Sequence, residues 1–247
     1  MSHATDSIYD AYETKIKLVN NSSTASVDEM VSQVSALNEE RDSAIIAYYK
    51  SFYEANKDNY AGYFAFMQLA YDMNKADMEK MLAGTPDWFR NTTRVKRCLE
   101  AAASREKTSA GKMFTDFTVK TSSGKDVKLS DFVGKGQYVL VDFFASWCGP
   151  CMREMPNLKG LYDKYNGKGL QIVGIAVWDQ PEDTKRAVEE QQLPWTIVDN
   201  AQRIPTDIYG ISGIPHLILF APDGKIVVRG LTGEALSREV DKALSSK

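Results

Sequence analysis

The sequence contains few cysteines and few histidines. Three cysteines and two histidines occur in 247 residues, which is too few for a scaffold held together by several disulfides. A structural zinc site needs four Cys or His ligands, and only His3 and His216 could add to the cysteines. We therefore expect neither a disulfide scaffold nor a metal site, and no cofactor beyond the cysteines themselves.

Long apolar segments and a strong net charge are also missing. No apolar run approaches the roughly 20 residues that cross a bilayer, and residues 1–24 lack the apolar core of a signal peptide. Met1-Ser2-His3 resembles an expression remnant, so we expect that a native leader or membrane anchor has been removed. The net charge of −3 gives no reason to expect nucleic acid as a partner.

The first part of the chain predicts an all-α domain over residues 1–108. Ser26 and Glu29 have the spacing of a capping box at a helix start. Apolar side chains then recur near the 3.6-residue helical period, and their aromatic and methionine stripes indicate core packing more than a partner groove. The predicted helices cover residues 6–19, 27–56, 59–73, 74–82 and 87–107.

The second part, residues 109–247, alternates strands with helices. A hairpin is predicted around residues 121–125, and near-continuous apolar strands at 138–144 and 170–177 indicate a sheet covered on both faces. A second hairpin turn, Ala221-Pro222-Asp223-Gly224, joins two late strands. We predict an α/β fold with a central mixed sheet and helices on both faces.

Cys148 and Cys151 lie where the strand at 138–144 gives way to a helix. A helix N-terminus lowers the pKa of a thiol, and the thiolate is the nucleophile of disulfide exchange. Cys151 follows one helical turn later, close enough to attack a mixed disulfide on Cys148. The two residues between them suit the first turn of a helix, where Pro150 is tolerated and Gly149 allows close approach. The spacing predicts a redox pair in which Cys148 attacks and Cys151 resolves.

The run Trp147-Cys148-Gly149-Pro150-Cys151 resembles the thioredoxin signature. Residues 111–247 resemble the TlpA-like branch of thiol-disulfide oxidoreductases, which is allied to the AhpC/TSA family. The N-terminal hairpin, the helix and strand inserted at 181–198 and the Cys151–Pro156 run carry that likeness. The resemblance implies a thioredoxin-like fold and leaves the helical part unexplained.

The resemblance assigns further roles to single residues. Asp142 matches the buried acid of thioredoxin that relays a proton to the resolving cysteine, and burial would raise its pKa; a hydrogen-bonded or solvated strand-end carboxylate is the alternative. Ile214-Pro215 matches the cis-proline loop that faces the cysteines and presents backbone groups to an extended substrate. The residues expected to contact substrate are Trp147, Gly149, Pro150, Ile214 and Pro215.

Two ionisable residues remain open candidates. His216 stands where thioredoxin has a smaller residue, and it either acts as an acid or base or is hydrogen-bonded within the fold. Glu154 either tunes the site electrostatically or is a solvated acid in the first turn. Cys98 lies among basic residues and is read as a buried bystander thiol.

The resemblance implies a reductase of disulfide-bonded client proteins, including apocytochromes c, in an extracytoplasmic compartment such as the periplasm. A membrane electron donor would keep it reduced. Two alternatives stay open. A thiol peroxidase of the AhpC/TSA type would need a Pro-x-x-x-Thr-x-x-Cys setting, and Val141–Cys148 lacks both that proline and that threonine. A client-binding or chaperone module would depend mainly on the helical domain.

Overall fold

The computed structural model describes residues 2–22, 24–71 and 73–245. Met1 of the predicted remnant, Asp72 in the predicted helix 59–73 and the last two residues of the predicted domain 109–247 lie outside these ranges. The chain forms two compact units, Met1–Cys98 and Leu99–Lys247, each described by itself below. The division lies ten residues before the one placed on the sequence.

The first unit is helical in its described residues. Its elements are α1 (Ser2–Asn20), α2 (Val27–Asn56), α3 (Tyr60–Leu69), α4 (Lys75–Leu82), α5 (Asp87–Arg90) and the start of α6 (Thr93–Lys107). The capping box before α2 is present, because Ser26 N–H donates to Glu29 and Glu29 N–H donates to Ser26 Oγ. Tyr53, Phe66 and Phe89 are fully buried with their rings in mutual contact, so these aromatics form core.

Two helix predictions are wrong: one helix is shorter than predicted, and the other is divided into two. The predicted helix 59–73 ends at Leu69. The predicted helix 87–107 is interrupted, because α5 ends at Arg90 and α6 begins at Thr93. Thr92 marks the new start, since its hydroxyl oxygen accepts from Val95 N–H, and a Ser or Thr side chain that satisfies a free amide favours a helix beginning there.

The second unit contains a mixed five-stranded sheet in the order β5-β4-β3-β6-β7. Its strands are β3 (Tyr138–Phe144), β4 (Leu170–Ala176), β5 (Thr196–Val198), β6 (His216–Phe220) and β7 (Ile226–Arg229). β3 pairs in parallel with β4 and antiparallel with β6. The N-terminal hairpin, β1 (Thr118–Lys120) and β2 (Asp126–Lys128), forms a separate two-stranded sheet. The helices are α7 (Gly149–Tyr165), α8 (Pro181–Glu190), α9 (Ile204–Tyr209) and α10 (Gly233–Ser245).

The central sheet carries an apolar cluster on each face. Val139, Val141 and Phe143 point to one face and pack with Tyr209 of α9, whereas Leu140 and Phe144 point to the other. Side chains alternate along a strand, so Asp142 lies on the second face. That cluster also holds both cysteines and the buried side of α7 and α10. The predicted α/β fold with a mixed sheet and helices on both faces is confirmed.

Candidate active site

Cys148 and Cys151 form a disulfide at the first turn of α7. Cys148 is the N-cap residue, and Cys151 N–H donates to its sulfur at 3.1 Å. Gly149 and Pro150 occupy the first two helical positions and are exposed, where the missing N–H of proline costs no helical hydrogen bond. Both cysteines are nearly buried, so the amide pointing at Cys148, more than exposure, distinguishes the two sulfurs.

Asp179 holds the segment that leads into the cysteines, a role that its place in the sequence did not predict. Its carboxylate accepts from the backbone N–H and the hydroxyl of Ser146 at 2.7 and 2.8 Å and from the Thr184 hydroxyl at 2.8 Å. Trp147, which follows Ser146, is 61% exposed. Its indole N–H donates to the carbonyl oxygen of Trp178. The sequence nevertheless contains a signal for this role, because Asp179 closely follows the apolar strand β4. In the sheet, β4 pairs with β3, the strand that ends just before the cysteines.

Asp142 is buried in the middle of the sheet, with 1% of its surface exposed. Its Oδ1 has no hydrogen-bond partner among the described residues. Desolvation, reinforced by the negative charge of Glu154, raises the pKa of Asp142 to about 8. The carboxyl group is therefore mostly protonated at neutral pH, and it lies on the face of the sheet that carries the cysteines.

Of the two alternatives for Glu154, the solvated first-turn acid is wrong. The residue is 8% exposed and accepts from Gly233 N–H at 2.8 Å and 3.0 Å through its two oxygens. Asn157 donates to it as well, at 2.7 Å. Gly233 begins α10, so the carboxylate satisfies a free amide at a helix N-terminus, where a negative charge is favourable. Glu154 thus ties α7 to α10 and contributes the second-largest cause of the raised Asp142 pKa.

The Ile214–Pro215 peptide bond is cis. Ile214 packs against the apolar cluster that contains both cysteines. Pro215 is followed directly by the first residue of β6, so the loop enters the sheet beside β3. The structure therefore brings the loop and the disulfide to one region of the molecule.

His216 is hydrogen-bonded within the fold. Arg229 Nη2 lies 3.0 Å from His216 Nε2, and Arg229 also donates to the Thr108 and Tyr209 carbonyl oxygens at 3.0 and 2.8 Å. Since a guanidinium only donates, Nε2 accepts and the imidazole is neutral. Desolvation, together with the charges of Arg229 and Arg105, lowers the pKa of His216 to about 3. An acid or base role near neutral pH does not fit these contacts.

No group of three or more His, Cys, Asp or Glu residues able to hold a metal ion occurs within the described part of the chain. Cys98, the third cysteine, is half-buried and forms no disulfide. In the residues that the structure covers, no helix is both long and apolar enough to span a membrane.

Three features on one mixed sheet define the class of thioredoxin-fold proteins with a redox cysteine pair: a disulfide at the N-terminus of a helix, a buried acid on the same face of the sheet, and a cis-proline loop. The model of the AhpC/TSA family matches residues 110–229. Thiol-disulfide oxidoreductase ResA of Bacillus anthracis is 33% identical over 140 residues, 56% of this chain and 79% of the relative. ResA of Bacillus subtilis (strain 168) is 30% identical over 125 residues, 51% and 69% of the two chains.

The solved structures include the same fold. The C-terminal domain of a Bacteroides thetaiotaomicron protein proposed to be a thiol-disulfide oxidoreductase has a TM-score of 0.52 and 26% identity, covering 57% of this chain and 99% of that domain. The chain belongs to the family of thiol-disulfide oxidoreductases that includes ResA, and it carries an AhpC/TSA domain at residues 110–229. The resemblance noted on the sequence is confirmed.

Proposed function

We propose that this protein reduces disulfides of client proteins through Cys148 and Cys151. The observation that carries the proposal is the disulfide whose first sulfur caps α7 and accepts the Cys151 amide at 3.1 Å. The same amide and helix N-terminus stabilise a thiolate on Cys148 once the disulfide is reduced. Gly149 and Pro150 between the cysteines favour the reducing direction.

The exchange runs in two balanced steps. The Cys148 thiolate attacks one client sulfur, forms a mixed disulfide and releases the other client sulfur as a thiolate, which takes up a proton. Cys151 then loses its proton and attacks Cys148 Sγ, which releases the second client thiol and restores the Cys148–Cys151 disulfide. Two electrons reach the client, and a dithiol protein donor must return two electrons to the enzyme.

Asp142 is the proposed acceptor of the Cys151 proton. Its pKa of about 8 lies close to that of an ordinary thiol, about 8.5, so a proton passes between them with little free-energy difference. The shared face of the sheet and the apolar surroundings of the acid support this role. Glu154 contributes through its negative charge, which raises the pKa of Asp142, and it does not itself exchange a proton.

The client is proposed to contact the exposed residues Trp147, Gly149 and Pro150 and the backbone of Ile214 and Pro215. An extended client segment would then pair with backbone groups beside the cysteines. Trp147 supports this placement, because a largely exposed indole offers apolar contact area next to the reacting sulfur.

The proposed setting is extracytoplasmic, with a membrane thiol-disulfide protein as electron donor and apocytochrome c among the clients. Support comes from the likeness to the TlpA-like branch and from the ResA relatives. Fractionation of cells that express the native gene tests the setting. Recovery of the protein in the cytoplasmic fraction would overturn it.

Insulin reduction in the presence of dithiothreitol tests the reaction. We expect turbidity to develop faster with the wild-type protein than with Cys148→Ser, which should match the uncatalysed rate because the attacking thiolate is gone. Cys98→Ser is the matched control and should retain wild-type activity. A wild-type rate no faster than background would contradict the proposal, and peroxide consumption dependent on Cys148 would favour a thiol peroxidase instead.

A client-binding role of the helical unit is the second candidate. Tyr60 and Trp88 are exposed, and their rings are in contact with centroids 4.5 Å apart and an interplanar angle of 38°. Phe64 is exposed on the same helix as Tyr60. Full client activity in Cys148→Ser, lost in Tyr60→Ala, would favour binding over catalysis.

A further inference from the structure

The segment 177–179, directly after β4, is hydrogen-bonded to the segment 144–147, directly before the cysteines. The pairs are Val177 N–H with Phe144 O at 2.9 Å, Trp147 Nε1–H with Trp178 O at 3.0 Å, and the Ser146 N–H and hydroxyl with the Asp179 carboxylate at 2.7 and 2.8 Å. Each residue of the first segment therefore contacts a different residue of the second.

Trp178 adopts a left-handed backbone conformation, with φ at 56°. This region is disfavoured for a bulky side chain, and such outliers concentrate at functional sites. The Trp178 ring packs against the apolar cluster that contains Tyr209, while its carbonyl oxygen accepts from Trp147. Gln202, also left-handed at φ 51°, donates to the Asp179 carbonyl oxygen at 2.8 Å. The surrounding structure thus imposes the bend that directs residues 178 and 179 toward the segment before the cysteines.

The Asp179 side chain is 4% exposed, and four donors surround its carboxylate. Besides the two from Ser146, the Thr184 hydroxyl donates at 2.8 Å and Gln180 N–H at 3.0 Å. Gln180 caps α8 and Thr184 lies within it, so one carboxylate joins α8 to the segment 144–147. A buried polar network whose members are all paired favours a single geometry, because breaking any contact leaves a buried group without a partner.

These contacts do not depend on the redox state of the cysteines. In the oxidised protein, the disulfide fixes Cys148 to Cys151. Reduction removes that bond, and Cys148 is then held by α7 on one side and by the segment 144–147 on the other. Asp179 contacts neither sulfur, so its hydrogen bonds persist when the disulfide opens. The position of the sulfur matters for attack, because a displacement of about 1 Å can lower a rate about a hundredfold.

We propose that Asp179 is a positioning residue for disulfide exchange, which keeps Cys148 at the N-cap of α7 after the disulfide has been reduced. This inference rests on the proposed function, in which Cys148 attacks the client. Asp179 holds Ser146, two residues before the attacking sulfur. Cys148 then keeps its place relative to the Cys151 amide that stabilises its thiolate. No bond forms or breaks at Asp179, which acts only through the segment that it holds.

Amide hydrogen exchange, followed by NMR on the whole ¹⁵N-labelled chain, tests the inference without a client. We expect the Ser146 amide and the Trp147 indole N–H to exchange at rates that agree within about threefold between the oxidised and reduced forms, because reduction leaves their acceptors in place. Wild-type Ser146 exchange that accelerates about tenfold or more on reduction would overturn the inference, since the disulfide would then be what holds the segment.

Asp179→Asn supplies the variant for the same measurement. Its side chain offers one acceptor oxygen in place of two, so part of the contact with Ser146 is lost. We expect the Ser146 amide of this variant to exchange about tenfold faster in the reduced form than in the oxidised form, where the disulfide still restrains the segment. Equal exchange in the two forms of Asp179→Asn would contradict the inference.

Ser146→Ala and Thr184→Val form a matched pair for activity, because each removes one hydroxyl that donates at 2.8 Å to the same carboxylate. Only Ser146 lies on the segment that leads to Cys148. We expect Ser146→Ala to lower kcat for insulin reduction about fivefold with little change in KM, and Thr184→Val to stay within about twofold of wild type. Equal losses in the two variants would contradict positioning and leave Asp179 a purely structural role.

Failure of this inference and failure of the proposed function are distinguishable. A wild-type protein that does not reduce insulin would contradict the proposed function, whereas the exchange rates need no client and still decide whether Asp179 holds the segment. Accelerated exchange in the reduced wild-type protein would remove the positioning role and leave the reductase activity intact.

Discussion

Asp142 and His216 are two titratable side chains one strand apart, on opposite faces of the same sheet. Asp142 pairs with Leu217, and His216 pairs with Phe143. Both residues are held in the neutral form at pH 7 mainly by desolvation, but the charges beside them have opposite signs. Asp142 is neutral because it is desolvated and its Oδ1 has no partner that would favour a negative charge. His216 is neutral because burial disfavours its charged form, and the positive charges of Arg229 and Arg105 add to that effect.

Asp142 can therefore take part in proton transfer, whereas His216 contributes to the stability of the fold. Asp142, with its pKa of about 8, changes charge near neutral pH at little cost. His216, with a pKa of about 3, stays neutral throughout that range. Burial favours the neutral form of both residues, but it moves the pKa of the acid up toward neutral pH and the pKa of the histidine down and away from it.

The largest expected effect is the contribution of Asp142 to the pH dependence of the free energy of unfolding. The folded protein keeps this acid protonated up to about pH 8, whereas the unfolded chain ionises near pH 4. Folding therefore takes up a proton between these values, and the contribution to the free energy of unfolding falls as pH rises. By pH 7 this amounts to about 4 kcal/mol.

Asp142→Asn should remove that loss. We expect urea unfolding of the oxidised variant to show a gain over wild type that grows by about 4 kcal/mol from pH 4 to pH 7. The exposed Asp241→Asn is the control, since Lys164 and Tyr165 lower the pKa of Asp241 and any effect should have the opposite sign. Parallel pH profiles for wild type and Asp142→Asn would show that Asp142 is not held neutral.

The next largest effect concerns His216 and Arg229, which donates to it. Arg229→Met removes the donor to His216 and to the Thr108 and Tyr209 carbonyl oxygens. The Thr108 hydroxyl also accepts from Arg229, so four partly buried acceptors lose this donor, and we expect a loss of about 3 kcal/mol in the free energy of unfolding. The exposed Arg238→Met, which breaks only a surface ion pair with Glu234, should change stability by less than about 1 kcal/mol. Equal effects of the two variants would contradict a structural role for the Arg229 cluster.

A smaller effect is expected from His216→Gln. Unfolding lets this histidine take up a proton below about pH 6.5, whereas the folded protein resists it down to about pH 3. Stability is therefore lost as pH falls through that window. Glutamine keeps an acceptor for Arg229 and does not ionise, so we expect the variant to gain roughly 1–2 kcal/mol at pH 5 relative to its difference at pH 7.

Activity measurements complete the His216 prediction. Insulin reduction at pH 7 should stay within about twofold of wild type, because the residue is not in the proposed proton path. A rate lowered by about tenfold or more would instead restore His216 as an acid or base of the reaction.

The cysteine pair and the fold were predictable because their signals are local. The apolar run 138–144, the two cysteines and the helical spacing after them lie next to each other in the chain, and the strand, N-cap and helix follow from that order. The late hairpin is equally local, since Asp223 and Gly224 supply the turn conformation. The boundary between the two units was harder to predict from the sequence. Thr108, which directly follows α6, is hydrogen-bonded to Arg229 and Tyr209, more than a hundred residues later.

The roles of individual polar residues depended on partners far along the chain. Glu154 looked solvated because nothing within one helical turn would bury it, and its partner Gly233 lies 79 residues away. Asp179 acts on Ser146 from 33 residues away. The environment of Asp142 depends on a glycine opposite it in the next strand. Such contacts are set by sheet register and helix packing, which residue spacing does not encode.

The central claim is that Cys148 attacks the client and Cys151 resolves the mixed disulfide. It is tested most directly by comparing Cys151→Ala with Cys148→Ala, each also carrying Cys98→Ser so that one active-site thiol remains. Each variant is incubated with a disulfide-bonded client, and the covalent complexes are identified by mass spectrometry. We expect Cys151→Ala to accumulate client on Cys148, and Cys148→Ala to accumulate little. Equal trapping by the two variants, or trapping on Cys151 alone, would contradict the assignment.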